Sequence, residues 1–536
     1  MVQDLKEIQF GRIRIINEEV KKYSDKTGNK RQILCINKID IASKEIVEQI
    51  EKYAKKLEGK KFFEVLKDYY SNSKIRERGI GYSEKNELQE KIAYFNNPRG
   101  KGSLGNLLEE YYFYYKPNSD SNPDFLEAGT ELKVTPVEKK KDGSFRAGER
   151  LVITMIPNDR PVEPVFEKSH VLEKMRLMLL ILYLREKDIL RTEYSIEYVK
   201  LFSILSENCR EDLIIIKEDY STIITKIQQG RAHELSEGDT KYLGACTKGA
   251  TAKKSEQKQY YSEIPAKRRA YSLKQSYMSY VINNYVVGQI NTYDSILKNT
   301  ELKEETFDNI VLNKINEYKG KTEEELYSQF EINKNSKQAN SSLISRMLGV
   351  KTDNVEEFEK ANIGIKTIRI DKKGNPRESM SFPKFKILDF VQETFDSSEL
   401  YNYFYEKRFL FVVFKENMTG EYELIGSKFW NMPISDLEGI GKLEWEKYQS
   451  QFINGIKFEV KDNRISNNLL KSKETQIFHL RPHAQRSAYV INGIKYGNGT
   501  DSDMDELPNG DKMTKQCFWL NKKYVLKNIQ DIIEGE

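Results

Sequence analysis

Nowhere in the 536 residues is there an apolar run approaching the length of about 18 that a membrane-spanning helix needs. The longest stretch, Leu177 to Leu184, is too short to cross a bilayer and reads as a core helix. The opening MVQDLKEIQF carries no apolar segment of signal-peptide type, so a cytoplasmic location is expected. Cysteine is scarce and scattered, at Cys35, Cys209, Cys246 and Cys517. No pair has CxxC spacing, which argues against a zinc site and against a disulfide framework. Histidine is scarcer in function than in number: His170 and His233 stand isolated and are assigned no catalytic role. A strong excess of one charge is also missing, since the net charge is +5. That sum does not announce a nucleic-acid binder, but it is compatible with one, because a nuclease needs acid in its site and base around the phosphates.

What is present is an ordinary globular composition, with 38% hydrophobic, 32% charged and 11% aromatic residues, which excludes wholesale disorder. At about 150 residues per domain the length suits three to four units, or two large ones. Basic clusters occur at Lys139-Lys140-Lys141, Lys253-Lys254 and Lys267-Arg268-Arg269; each alone reads as a solvated face.

Residues 1 to about 75 read as helical, with IVEQIEKYAKKL at helical spacing. A glycine-punctuated stretch, Gly79 to Gly105, leads into the helix LGNLLEEYYFYY. Ala128 to Val137 alternates like a strand, with Arg150 to Ile156 as its hairpin or sheet partner. Residues 169 to 230 return to helical spacing, and 234 to 267 read as ordered loops. Beyond a junction in 290 to 325 the order of the first half recurs faintly. A helix at Ala339–Leu348 precedes the strands IGIKTIRI and FLFVVF, and HLRPHAQ and QCFWLNKKY parallel LGACTKG and RRAYSLKQ. Two copies of one fold are expected.

Two motifs fail their context. Asn37-Lys38-Ile39-Asp40 spells the guanine-reading NKxD, but no GxxxxGK[ST] precedes it. Gly100, Gly102 and Gly105 spell GxGxxG after turn residues rather than after a strand. The constellation that carries chemistry is Asp124 followed by Glu131-Leu132-Lys133. On a strand Glu131 and Lys133 stand on one face. Two carboxylates and a lysine are the set for phosphodiester hydrolysis: the carboxylates hold a hard cation such as Mg²⁺, and the lysine orients or helps deprotonate the water.

These residues lie in the runs KGSLGNLLEE, PDFLEAGTELKVTP and EKSHVLEKMR, which resemble the core of the MutH-like endonucleases. HELSEGDTKYLGACTKGA and AKRRAYSLKQSYM do so further on. The resemblance is closest to the GATC-cutting type II restriction enzymes built from two fused MutH-like domains, and extends over most of the chain from about Lys101. It implies Asp124, Glu131 and Lys133 as the catalytic triad, with Asp124 and Glu131 as metal ligands. It adds Glu109 as a further acidic site residue and Lys174 as an active-site lysine. It also implies two late base-reading loops, here bearing Lys248 and Tyr271; where family members carry an arginine two positions before Lys248, this chain has Cys246.

In the second copy Lys366 falls opposite Lys133, Gly364 opposite Glu131 and Glu357 opposite Asp124. One lysine and one misplaced carboxylate cannot hold the metal, yet Arg481, His483 and Trp519 keep a DNA-contacting pattern. That copy is expected to bind DNA without cutting.

The expected fold is therefore α/β, of the restriction-endonuclease-like PD-(D/E)xK type, a mixed sheet flanked by helices and present twice. The boundaries are a helical extension over 1–75, a cutting domain over 76–290, a linker over 291–304 and a non-cutting domain over 305–536. The resemblance implies Mg²⁺-dependent hydrolysis of double-stranded DNA at 5′-GATC-3′, leaving 5′-phosphates. The chain is expected to be a monomer that pairs transiently on DNA, with a cognate DNA methyltransferase encoded nearby and no membrane partner. A strand-nicking MutH-like repair enzyme and a non-catalytic DNA-binding regulator are the alternatives.

Overall fold

The computed structural model describes residues 44–71, 83–97, 103–117, 122–248, 256–289, 293–297, 305–336, 338–352, 355–461 and 464–535. The NKxD tetrapeptide, Gly100, Gly102, Lys253 and Lys254 lie outside them, as does most of the 291–304 segment. The chain forms two compact units, each discontinuous in sequence. Unit 1 takes residues up to Glu149 and His170–Ser206; unit 2 takes Arg150–Ser169 and Glu207–Glu536.

Unit 1 is a sheet with helices on it. Its helices are α1 (Phe62–Tyr70), α2 (Ser83–Asn96), α3 (Leu104–Tyr111) and α4 (His170–Met175). The main strands of the first half are β1 (Glu131–Lys139), β2 (Phe145–Ala147), β3 (Leu151–Met155), β4 (Met178–Leu184), β5 (Ile196–Phe202), β6 (Leu243–Thr247) and β7 (Arg269–Leu273). The unit 1 sheet has the order β2-β1-β4-β5. β1 and β4 are parallel, with Glu131 opposite Met178, whereas β5 returns antiparallel to β4. Leu104, Leu107 and Leu108 of α3 and Phe62 and Leu66 of α1 pack with Leu132, Leu179 and Ile181 of the sheet. Burying these apolar faces is what fixes α3 against β1.

Three sequence expectations change here. Met178–Leu184, all but the first residue of the apolar run, is a strand, not a core helix. A continuous apolar run is what a strand covered on both faces requires, and periodicity alone does not separate it from a buried helix. Helical spacing over 169 to 230 holds for α4 and for the long helix α5 (Arg210–Gln228), with two strands between them. Arg150–Ile156 does form a strand, β3, but its partner is β7 in unit 2; β1 pairs with β2 and β4.

Unit 2 holds β3, β7 and β6 as one sheet. It also contains α6 (Glu356–Ala361), α7 (Lys442–Ile453) and the strands β8 (Ile363–Ile370), β9 (Met380–Lys384), β10 (Arg408–Glu416), β11 (Tyr422–Trp430), β12 (Phe478–Pro482) and β13 (Gln516–Leu520). β8 and β10 are parallel and β11 returns antiparallel; β9, β13 and β12 form a separate sheet. The aromatic core of this half gathers Phe390, Phe404, Phe409, Trp430, Trp445 and Phe518.

Two details of backbone pairing recur. In β6–β7 Leu243 stands opposite Leu273 and Thr247 opposite Arg269; in β12–β13 Phe478 stands opposite Leu520 and Pro482 opposite Gln516. Ahead of β6, the buried Asp219 of α5 accepts the amides of Lys241, Tyr242 and Leu243. Ahead of β12, the buried Glu444 of α7 accepts those of Gln476, Ile477 and Phe478. Three successive amides that lead into a strand and point at one buried carboxylate need no other partner. Among the described residues no helix is long and apolar enough to cross a membrane.

Candidate active site

The six residues between Asp124 and Glu131 form a miniature hairpin. Phe125 and Thr130 exchange both backbone hydrogen bonds, at 2.9 and 3.2 Å. Leu126–Ala128 make one 3-10 turn, and Gly129 closes it at φ +57°, a left-handed conformation that favours glycine. The chain therefore doubles back, and Asp124 Oδ2 accepts the Leu132 amide at 2.9 Å. That single bond places Asp124 beside the start of β1, where Glu131 and Lys133 project on one face.

Lys174 arrives by the parallel pairing. It lies on α4, one turn ahead of Met178, and Met178 is the partner of Glu131. Glu131 Oε1 accepts Lys133 Nζ at 2.8 Å and Lys174 Nζ at 2.9 Å, and Oε2 accepts Lys174 Nζ at 3.1 Å. Glu131 is 3% exposed and Lys174 8%, so this is a desolvated carboxylate with two ammonium partners. Removing either would leave a buried charge under-compensated.

Glu109 comes from α3, whose N-terminus Ser103 caps by accepting the Asn106 amide. Burial, then repulsion from Asp124 and Glu131, raise its carboxyl against the pull of Lys133 to about 7. Asp124 is also raised, by burial and then by Glu131, against the Leu132 amide and both lysines. The structure thus brings Glu109, Asp124, Glu131, Lys133 and Lys174 together in unit 1.

Tyr115 was not singled out by sequence. The chain leaves α3 through Tyr114 at φ +61°, and the Tyr115 amide donates to the Glu109 carbonyl at 3.0 Å. Among the described residues its buried hydroxyl has no hydrogen-bond partner; burial, then Asp124, Glu109 and Glu131, push it far above its ordinary pKa. Only its place six residues after Glu109 marked it, and a tyrosine in LEEYYFYY is one of four.

The donor set suits a hard divalent cation. It consists of carboxylate oxygens, and their mutual repulsion, which raises Glu109 and Asp124, is what a dication would relieve. Among the described residues no cluster of three or more acidic, histidine or cysteine side chains is drawn up as a ready ligand set. A cation of Mg²⁺ type needs only one or two carboxylates and keeps waters for the rest.

The remaining sequence candidates lie in unit 2. Lys248 follows β6, half-buried, its amide bonded to the Arg268 carbonyl at 2.8 Å; the His483 amide meets the Lys515 carbonyl at 2.7 Å after β12. Tyr271 is buried at 3% and stacks on Tyr220, with ring centroids 5.5 Å apart. To touch a base edge its ring would have to leave that stack. Arg269 of the basic run is buried too, donating to the Ala245 carbonyl and to the Tyr405 hydroxyl. Arg481 is exposed, with its guanidinium 5.0 Å from the centre of the Trp519 ring, and His483 is exposed. Glu357, aligned with Asp124, is committed elsewhere: it accepts the Ile296 and Leu297 amides and the Ser295 hydroxyl.

Comparison with known proteins places this geometry. A family profile described as "DNA mismatch repair enzyme MutH" matches residues 113–219, the span holding Asp124, Glu131, Lys133 and Lys174. The DNA mismatch repair protein MutH of Shewanella woodyi is 28% identical over 158 residues, covering 30% of this chain and 64% of that one. The type II restriction enzyme Sau3AI of Staphylococcus aureus is 37% identical over 467 residues, covering 81% of this chain and 94% of that enzyme. The chain belongs to the MutH-like type II restriction endonucleases and is a site-specific deoxyribonuclease.

Proposed function

We propose that the chain hydrolyses double-stranded DNA at 5′-GATC-3′ in a Mg²⁺-dependent reaction leaving 5′-phosphates, and that its C-terminal half binds a second DNA site without cutting. The observation that carries the cutting half is Asp124 and Glu131 gathered at the start of β1 with Lys133 and Lys174 on the same carboxylate. Asp124 and Glu131 would hold the cation, which supplies charge stabilisation and lowers the pKa of water. Lys133 Nζ, released from Glu131, donates to the attacking water and aligns it with the phosphorus. Glu109, whose carboxyl sits at about 7, accepts the proton that this water loses. Lys174 keeps Glu131 in place as charge builds on the phosphate oxygens. The new bond joins water oxygen to phosphorus, the bond to O3′ breaks, and O3′ leaves as a hydroxyl after taking a proton from solvent. The GATC target follows from the family resemblance, with Lys248 as the base-reading donor.

Support for a non-cutting second copy comes from the matched registers of β6–β7 and β12–β13 and from the paired roles of Asp219 and Glu444. It acts in the cytoplasm as a monomer that pairs transiently on DNA, and a companion methyltransferase protects the host sites. The repair reading is less favoured, since the MutH match accounts for 30% of the chain.

The test is incubation of unmethylated plasmid with Mg²⁺ followed by end mapping. Breaks confined to GATC with 5′-phosphates are expected. Breaks elsewhere, or cleavage by a Glu131→Ala protein, would overturn the assignment.

A further inference from the structure

The residue that the sequence alignment sets against Glu131 is Gly364 of β8, opposite Phe409 of β10. The space beside that glycine is filled from another direction. A Cβ built on Gly364 would lie 2.8 Å from Cε of Lys407, the residue just before β10. Lys407 Nζ donates to the Asn362 side-chain oxygen at 3.0 Å, and Asn362, at φ +53°, is the residue just before β8. Two residues along β8, Lys366 Nζ donates to the Ser381 carbonyl at 3.1 Å and lies 5.2 Å from the centre of the Phe382 ring. In unit 1 the lysine of this strand meets a carboxylate. Here a second lysine stands where the carboxylate would be.

Both lysines are half-buried and both are pushed below the ordinary lysine range, chiefly by burial. Lys407 adds repulsion at Lys366, and the exposed Glu359 offsets part of the burial at Lys407. Each ammonium has three N–H donors and one neutral acceptor, and among the described residues neither forms an ion pair. Two partly desolvated lysines that repel one another, with only the exposed Glu359 offsetting the charge at one of them, leave N–H donors that an oxyanion would satisfy. Ser381, whose carbonyl accepts Lys366, is the sheet partner of Trp519, whose side chain bonds to the Cys517 thiol. Exposed Arg481 lies over that same ring.

We infer that Lys366 and Lys407 form a phosphate-oxyanion site at the position corresponding to the metal centre of unit 1, and that the phosphate is a DNA phosphodiester. Where unit 1 holds a phosphate through a cation on carboxylates, unit 2 supplies the cations from its own chain. The choice of DNA as the source rests on the second-site reading above; the anion site itself does not.

The experiment uses the full chain without divalent metal, in two arms. In the first, melting is followed in inorganic phosphate against chloride at matched ionic strength. Wild type is expected to gain a saturable rise on the order of 2 °C. Lys366→Met with Lys407→Met is expected to lose it, and Lys366→Arg with Lys407→Arg to retain it, which guards against misfolding. In the second arm, binding of a GATC duplex is measured against salt. The Met pair should weaken binding roughly tenfold and flatten the log–log salt slope by about 0.9, the value for one phosphate. An unchanged phosphate response in the Met pair overturns the site. A lost phosphate response with an unchanged salt slope overturns DNA as its source and leaves free phosphate as the occupant. If the second-site reading fails, by equal rates on one-site and two-site plasmids, the first arm still decides the anion site.

Discussion

β1 and β8 each belong to a parallel pair that is followed by an antiparallel return. At β1 a buried glutamate joins two lysines, with Asp124 folded back beside it. At β8 there is a glycine with two lysines that form no ion pair among the described residues, and Glu357 is spent on the Ser295 hydroxyl and the Ile296 and Leu297 amides. The supporting framework differs far less. Asp219 and Glu444 each take three successive amides at the head of a strand, from helices of quite different length. The requirement to satisfy buried backbone groups holds a scaffold in place, whereas chemistry rests on a few side chains that the scaffold tolerates losing.

The largest effect should come from the side chains that distinguish the two strands. Asp124→Ala or Glu131→Ala is expected to lower the cleavage rate by about a thousandfold or more, since each would remove a proposed ligand for the cation. Metal-free DNA binding should stay within a few-fold. Lys133→Ala should also stop cutting, through loss of water alignment. Single-turnover cleavage beside gel-shift binding reads both, and near-normal cutting by any of the three would dissolve the contrast between β1 and β8.

Next in size are the two scaffold carboxylates. Asp219→Asn and Glu444→Gln each replace a charged acceptor of three buried amides, and each should cost roughly 2–4 kcal/mol, given about 1.5–3 kcal/mol for one hydrogen bond to a charged group. Thermal unfolding measures the loss, and exchange of the Leu243 and Phe478 amides localises it. A large loss at one site and none at the other would break the correspondence.

The sequence made the chemistry more legible than the frame. D-x6-ExK is short, but the flanking runs carried it, and period-two spacing put Glu131 and Lys133 on one face. Lys174 was reachable only through resemblance, because its contact with Glu131 depends on the parallel pairing of β1 with β4, which no local pattern encodes. For the same reason Leu177–Leu184 read as helix: a strand buried on both faces shows no alternation. Tyr271 came as a base contact from the resemblance, which does not say how its ring packs; here it stacks on Tyr220. Lys407 was invisible, since its place against Gly364 is set by where β10 begins.

A smaller effect should test whether the second half communicates with the first. A palindromic site has two scissile bonds, and one active centre cuts one strand at a time. If DNA bound at Arg481 and Trp519 favours cutting elsewhere, plasmids with two GATC sites should be cut faster than plasmids with one, by about 5–150-fold for a coupling of 1–3 kcal/mol. Arg481→Ala with Trp519→Ala should remove the difference. Equal rates across enzyme concentrations would leave the two halves alike in frame and unlinked in action.

The smallest effect concerns the charge that unit 1 stores and β8 lacks. Glu109 rises from 4.5 to about 7 because burial, Asp124 and Glu131 all disfavour its ionised form. The folded protein therefore holds this proton more tightly than the unfolded chain. The sign follows by linkage: where the native state binds more protons, stability falls as pH rises. In the metal-free protein this contribution is intact below about 4.5 and is lost progressively up to about 7, with Asp124 shifted in the same direction. The site is partly exposed, so solvent screens the effect and a modest slope is expected. Glu109→Gln should flatten the fall in melting temperature between pH 5 and 8 relative to wild type, and adding Mg²⁺ to wild type should do the same by offsetting the repulsion. The variant comparison subtracts other titrating groups, including Asp212 and Glu323 of unit 2, which burial also raises. A Glu109→Gln protein with the wild-type pH slope would mean that the carboxylates of unit 1 carry no stored repulsion, and that a cation is not what their arrangement awaits.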